Sequence, residues 1–191
     1  MDTPGPLGRS VEDAALLLQA IAGYDPNDPL TSRAPVPDYS RALGDGVRGL
    51  HVGIIRELTF GADTQPEVRD AVVAVARKLE GLGAATEEVS LRLVPLAGAI
   101  FMALADADGA GVHHRWLRTR AADYDQGTRR RLLTASLIPS AVQQRAARAR
   151  ALLRSEMLGL LAQNDVLLCP TAHQAAPPIA AARAAITTRH G

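Results

Sequence analysis

Gly49-Leu-His-Val-Gly-Ile-Ile55 is a short apolar run behind turn residues, and it reads as a buried strand. Thr64-Gln-Pro-Glu67 follows with the pattern of a capping box and a proline in the first turn, which predicts a helix capped by Thr64. Behind it Val68, Val72, Val75, Leu79 and Leu82 recur at helical spacing and form one apolar stripe, closed by Gly81 and Gly83. Ala85 to Leu91 reads as a second strand. A strand, a helix and a strand joined by short loops favour parallel pairing and place the chain in the α/β class.

On the N-terminal side, Ser10 reads as a helix cap, with Asp13 three residues on in an approximate capping box. Val11, Ala14, Ala15, Leu18, Ile21 and Ala22 give that helix one apolar face, and Gly23 ends it. The stretch from Asp25 to Asp38 is rich in Pro, Asp and Asn and opposes regular structure. On the C-terminal side, Val94 to about Leu117 is helical and alanine-rich, with Gly109 and Gly111 as interruptions. Ala121 to Thr128 is turn-like, and Arg129 to Leu137 suits a short helix. Pro139 opens a long helix to about Ala162, with Val142, Ala146, Ala149, Leu153, Met157 and Leu160 on its inner face and Arg145, Arg148, Arg150 and Arg154 mainly elsewhere. Val166 to Cys169 is a third strand.

Composition narrows the function classes. The chain has 191 residues, 47% of them hydrophobic and 21% charged, which excludes a disordered or collagen-like polypeptide. A net charge of +1 gives no basic footprint for nucleic acid. The single cysteine, Cys169, excludes an internal disulfide and points to a reducing compartment. Met1 to Pro6 has no basic or apolar leader character, and no unbroken apolar run approaches the ~18 residues of a membrane span. A cytoplasmic chain with neither nucleic-acid nor membrane partners is therefore expected. Lys78 is the only lysine among 21 basic residues.

Candidate chemistry is sparse. Arg129-Arg130-Arg131, near Arg118 and Arg120, reads as a solvated helix face, since no aromatic platform accompanies it. His113 and His114 point about 100° apart on a helix and cannot face one metal together. Asp106-Ala-Asp108-Gly109 starts like a calcium loop but lacks the later glycine and glutamate, and it reads as a helix irregularity. Ser10 is a cap, and Ser32 and Ser40 lie in loops with no base close in sequence. Cys169 reads as an inert, buried thiol. Neither a Gly-x-Ser-x-Gly elbow nor a phosphate-binding glycine loop occurs.

Three stretches together resemble the amidase signature family of serine amide hydrolases. The first runs from Asp2-Thr-Pro-Gly-Pro-Leu-Gly-Arg-Ser10 through Leu18, then Ile21 to Asp28 and Thr31-Ser32. The second is Val47-Arg-Gly-Leu-His-Val-Gly-Ile54 with the helix after it. The third is Asp165-Val-Leu-Leu-Cys-Pro-Thr171 followed by Pro177-Pro178-Ile179. Their order is similar to the middle-to-late part of such an enzyme.

The resemblance implies an α/β fold with a mixed central sheet covered by helices, here a partial one. It implies amide hydrolysis through a Ser–cis-Ser–Lys triad, an acyl-enzyme and a backbone oxyanion site, with no cofactor and no metal. The serines of that triad lie in a Gly/Ser-rich signature ahead of the Gly5-Pro-Leu-Gly-Arg-Ser10 segment, and no Gly-Gly-Ser-Ser-Gly sequence occurs here. A triad lysine would have to be Lys78, which sits off the apolar stripe of its helix. The expectation is therefore that residues 1–191 carry no catalytic residue. They form a single partial amidase domain: loop and helix 3–23, strand-helix-strand 49–91, helical region 94–162, strand 166–169 and tail 172–191. Asp2 and Arg9 are placed by the resemblance behind the signature loop as supporting residues. The alternative is that Pro4-Gly5-Pro6 only turns the chain while Arg9 pairs locally. Substrate-binding residues are not assigned, and the partners implied are a small-molecule amide in the complete enzyme and an N-terminal amidase polypeptide. A non-catalytic interaction module on the same scaffold is the competing class. Exposed strand edges and apolar helix faces are expected in the chain alone.

Overall fold

The computed structural model describes residues 4–179. Residues Met1–Val47 and Arg48–Gly191 form two compact units.

In the first unit, Ser10 caps α1 (Val11–Ile21) by accepting the Asp13 amide at 3.0 Å. Gly23, at φ 145°, turns the chain out of the helix in a conformation that favours glycine. The Pro/Asp-rich loop then orders itself locally. Asp25 Oδ1 accepts the Asn27 amide, the Thr31 hydroxyl donates to the Asp28 carbonyl, and the Arg33 guanidinium lies 4.6 Å from the Tyr24 ring centre. Only Ala15 of the expected apolar face is buried, while Val11 and Ile21 are exposed.

The second unit is built on β1 (His51–Ile55), whose last four residues are all buried. Continuous burial is what a central parallel strand requires, because helices cover both of its faces. α2 (Arg56–Thr59) follows directly, and α3 (Pro66–Gly81) leads to β2 (Ala85–Val89). A long helical stretch then runs as a 3₁₀ turn, α4 (Ala97–Phe101), a π turn (Met102–Asp106) and α5 (Ala107–Thr119). α6 (Gln126–Ala135), α7 (Ser140–Leu161) and β3 (Val166–Leu168) complete the order. Among the described residues the sheet order is β2-β1-β3, all parallel, with Val52 opposite Thr86 on one side and Val166 on the other.

α3 covers one face of the sheet, where Ile54 packs with Val72 and Ala76. α7 covers the other, where Leu153, Met157 and Leu160 pack against Ile55, Val89 and Leu91. The inner face expected for α7 is thus the observed one, and Arg145, Arg148, Arg150 and Arg154 lie away from it.

Two local expectations are corrected. The cap of α3 is Gln65 rather than Thr64, because Pro66 occupies the first helical position and sets the cap immediately before it. Thr64 instead donates its hydroxyl to the Leu58 carbonyl at 2.9 Å. The buried positions of α3 are Val72 and Ala76, while Val75 and Leu82 are about half exposed. The inner stripe therefore runs one residue beyond Val75.

Val94–Thr119 is 26 residues long and contains a window of mean hydropathy 1.2, enough by length and composition to cross a membrane. In this unit Ile100, Ala103, Ala110 and Leu117 of that stretch are buried in the protein, and Asp106 is paired with Arg131 of α6. Only 17% of that window is buried, and Phe101, Met102, Val112 and Trp116 are exposed.

Candidate functional site

One concavity is a cleft of about 520 Å³ bounded by α4, the π turn, α6 and the first turn of α7. Its apolar wall comes from Ala99, Met102, Ala103, Ala135, Ile138 and Val142. Small side chains at positions 99, 103 and 135 create the space, since helices normally close such gaps with larger residues. Asp125 starts α6 by accepting the Gly127 and Thr128 amides, which fixes the helix that brings Arg130, Arg131 and Thr134 to the cleft.

The polar centre of the cleft is one ion pair. Asp106 is buried at 9% exposure at the end of the π turn, and Arg131 grips it with Nε 3.0 Å from both oxygens and Nη2 2.6 Å from Oδ1. The Asp106 hydrogen bonds, and then its charge, hold the Arg131 guanidinium above its ordinary pKa. A π turn inserts one residue into a helix and is common where a side chain is re-aimed for function. Here it ends on the one acid that lines the cleft.

A second polar cluster closes the sheet at the C-terminal end of β1. Glu57 accepts the Ser90 hydroxyl at 2.5 Å and the Leu91 amide at 2.8 Å. Burial pushes the Glu57 carboxyl up, but the hydrogen bonds from Ser90 and Leu91 and the neighbouring Arg56 outweigh it, so its pKa is lowered. Glu156 of α7 accepts the Arg92 and Leu93 amides at 3.1 Å. Two carboxylates thereby tie down the turn between β2 and α4.

The residues singled out from sequence are placed as follows. Asp2 lies outside the described residues, and Arg9 is exposed in the turn before α1. Lys78 is exposed on α3. Ser32 accepts the Ala34 amide, and Ser40 donates to Asp38 at 2.6 Å, which holds that carboxyl below its ordinary pKa. These are local turn contacts, not nucleophile and base. His113 is half-buried against Tyr124, with Nδ1 2.9 Å from the phenol oxygen, while His114 is exposed. Cys169 is exposed, contrary to the buried thiol expected, because β3 ends at Leu168 and Pro170 follows.

Arg131 is not merely a solvated helix residue, since its guanidinium serves Asp106. Asp106 and Arg131 form the pair that pattern alone does not join. A signal for it exists: Asp106 sits in Leu104-Ala-Asp-Ala107, and an acid on an alanine-rich helix needs a partner when it faces inward.

A small parallel sheet covered by helices on both faces, with a helical cleft beside it, defines an α/β protein. A family model described as Amidase matches residues 1–189, and the chain belongs to this family, the amidase signature family. An amidase of Pseudomonas putida is 36% identical over 96% of this chain and 38% of its own length. A glutamyl-tRNA(Gln) amidotransferase subunit of Thermosynechococcus vestitus is 35% identical over 90% of this chain and 40% of its own length. Among solved structures, a chain from a vestigial protein complex bearing on the origins of an s-triazine catabolic enzyme matches with TM-score 0.82 and 30% identity, over 92% of this chain and 37% of that one. The corresponding glutamyl-tRNA(Gln) amidotransferase subunit of Thermotoga maritima matches with TM-score 0.74 and 27% identity, over 92% and 38%. The chain thus spans about two-fifths of the length of the relatives it matches.

Proposed function

We propose that residues 1–191 supply the sheet segment and the helical cleft of an amidase that hydrolyses a small carboxylic amide through an acyl-enzyme. In this reading the Ser–cis-Ser–Lys triad comes from sequence outside these residues, and the chain alone is inactive. The observation that carries it is the family match over residues 1–189 combined with a sole lysine, Lys78, that stands exposed on α3. The cleft suits the apolar part of an amide, because an apolar wall with few polar groups is the usual form of a small-molecule site. Asp106 and Arg131 act as positioning residues for its wall. Asp2 and Arg9 support the signature loop, and the whole is one partial domain of a cytoplasmic enzyme.

Activity of the purified chain on simple amides tests this directly. No hydrolysis is expected. Turnover that survives Lys78→Ala would overturn the proposal.

A split enzyme is a second reading, in which an N-terminal polypeptide brings the triad. It is favoured by the likeness to a chain from a vestigial complex and to one component of an amidotransferase. An open reading frame immediately upstream that encodes the Gly/Ser signature and a lysine supports it, and failure of the two polypeptides to associate removes it.

A further inference from the structure

The cleft between α4, the π turn, α6 and α7 joins an apolar wall to a charged mouth. Among the described residues that line it, the guanidinium groups of Arg130 and Arg131 stand against a single carboxylate, Asp106. Thr134 is the only uncharged polar side chain in that lining. The cleft therefore combines a net positive charge with a surface that is otherwise apolar.

The pair itself shows which part of Arg131 is already engaged. Asp106 receives Nε and Nη2, so it occupies one side edge of the guanidinium. A guanidinium is planar and carries donors along a second edge, made by Nη1 and the other Nη2 hydrogen. The Asp106 side chain is 10% exposed, whereas that of Arg131 is 58% exposed. The inner edge is thus closed by the acid, and the outer edge is left to the open side of the cleft. Arg130 is exposed beside it on α6, one helical turn before Thr134. Because Asp106 already holds Arg131 in place, little rotamer freedom remains to be lost when the outer edge takes a ligand.

We propose that this cleft binds a small amide that also carries a carboxylate. The carboxylate lies on the outer edge of Arg131 beside Arg130, and the carbon chain lies on the wall of Ala99, Met102, Ala103 and Ile138. The inference rests on the proposed function and adds the class of amide. An uncharged amide would cover the apolar wall but leave the charge at the mouth unmet. A carboxylate suits that mouth better than a phosphate, because its two oxygens match one guanidinium edge and Asp106 already offsets one of the two positive charges.

The test titrates the full chain by calorimetry with adipic acid monoamide and with hexanamide, which have the same number of carbons and differ by the carboxylate. The monoamide is expected to bind at least about tenfold more tightly at low salt, with a preference that shrinks as salt is raised. Arg130→Gln should remove part of the preference. Arg131→Lys keeps a counter-charge for Asp106 but offers no fork, and should remove most of it. Ala99→Leu, at an exposed position on the wall, should weaken both ligands by filling the cleft. Circular dichroism confirms that each variant folds, and inorganic phosphate at equal concentration should not displace the monoamide. The inference is overturned by equal affinity for the two ligands, by no binding to the folded chain, by a preference that survives both arginine variants, by binding indifferent to Ala99→Leu, or by displacement with phosphate. Binding is read here without turnover, so the two readings fail separately. Hydrolysis of simple amides by the chain alone would discard the proposed function, whereas a missing carboxylate preference would discard only the class of amide.

Discussion

Arg131 and Asp106, 25 residues apart in sequence, meet in a two-nitrogen fork with a shortest contact of 2.6 Å. The acid is almost buried, whereas the Arg131 side chain is 58% exposed. The two ends of the pair therefore differ in what their loss leaves behind.

Arg131→Met should cost more than Asp106→Asn, because it strands a buried carboxylate without its counter-charge. The loss for Asp106→Asn should be about 1 kcal/mol, below that of fully buried pairs because one partner is solvated. Urea unfolding of the two variants checks the order, and equal losses would contradict it.

Gly53→Ala should destabilise the chain by about 1–3 kcal/mol. A Cβ there would stand 2.8 Å from Leu167 Cδ2 and 3.1 Å from the Asn164 side chain, at the centre of the sheet. Gly159→Ala meets nothing within 4 Å near the end of α7 and should stabilise by about 0.5–1 kcal/mol. Opposite shifts in melting temperature are the expected result.

Glu57 links stability to acid. Its folded pKa lies below the ordinary 4.5, so its contribution is fully present above that value and is lost as pH falls through the lowered folded value. Glu57→Gln should therefore flatten the acid limb of a stability-against-pH curve below about pH 5. Ser90→Ala, which removes one of the donors, should weaken the limb partially.

Thr59 is fully buried, and its hydroxyl has no hydrogen-bond partner among the described residues. Thr59→Val keeps the shape and removes the stranded group, so a change between neutral and about 1 kcal/mol of stabilisation is expected on chemical denaturation. A loss of about 1 kcal/mol or more would show that the hydroxyl is satisfied in solution.

Lys78→Ala should change stability by less than about 0.5 kcal/mol, as for an exposed helix residue without a packing role.

The sheet was largely legible in the sequence because its signals are local. The 49–55 run, the α3 periodicity and the α7 stripe each depend on neighbours within a few residues, and His51–Ile55, Pro66–Gly81 and Ser140–Leu161 follow them closely. Thr64 misled by one residue because a proline at the first helical position outranks a capping pattern. The cleft was illegible for a different reason. Asp106 resembled the start of an ion loop and Arg131 one member of a surface run, and only the folded backbone brings them together. The exposure of Cys169 depends on where β3 stops, and strand ends are set by pairing rather than by propensity.

The π turn at Met102–Asp106 carries one residue more than α-helical winding would hold. Every side chain downstream to Thr119 is thus rotated by about 100° relative to an uninterrupted helix. Ala110 and Leu117 face inward only because of that added phase. Deleting one residue of the turn would let it relax to α-helical winding with both still facing inward, whereas straightening the turn with all its residues kept would swing both out of the interior and carry Trp116 and Val112 around with them.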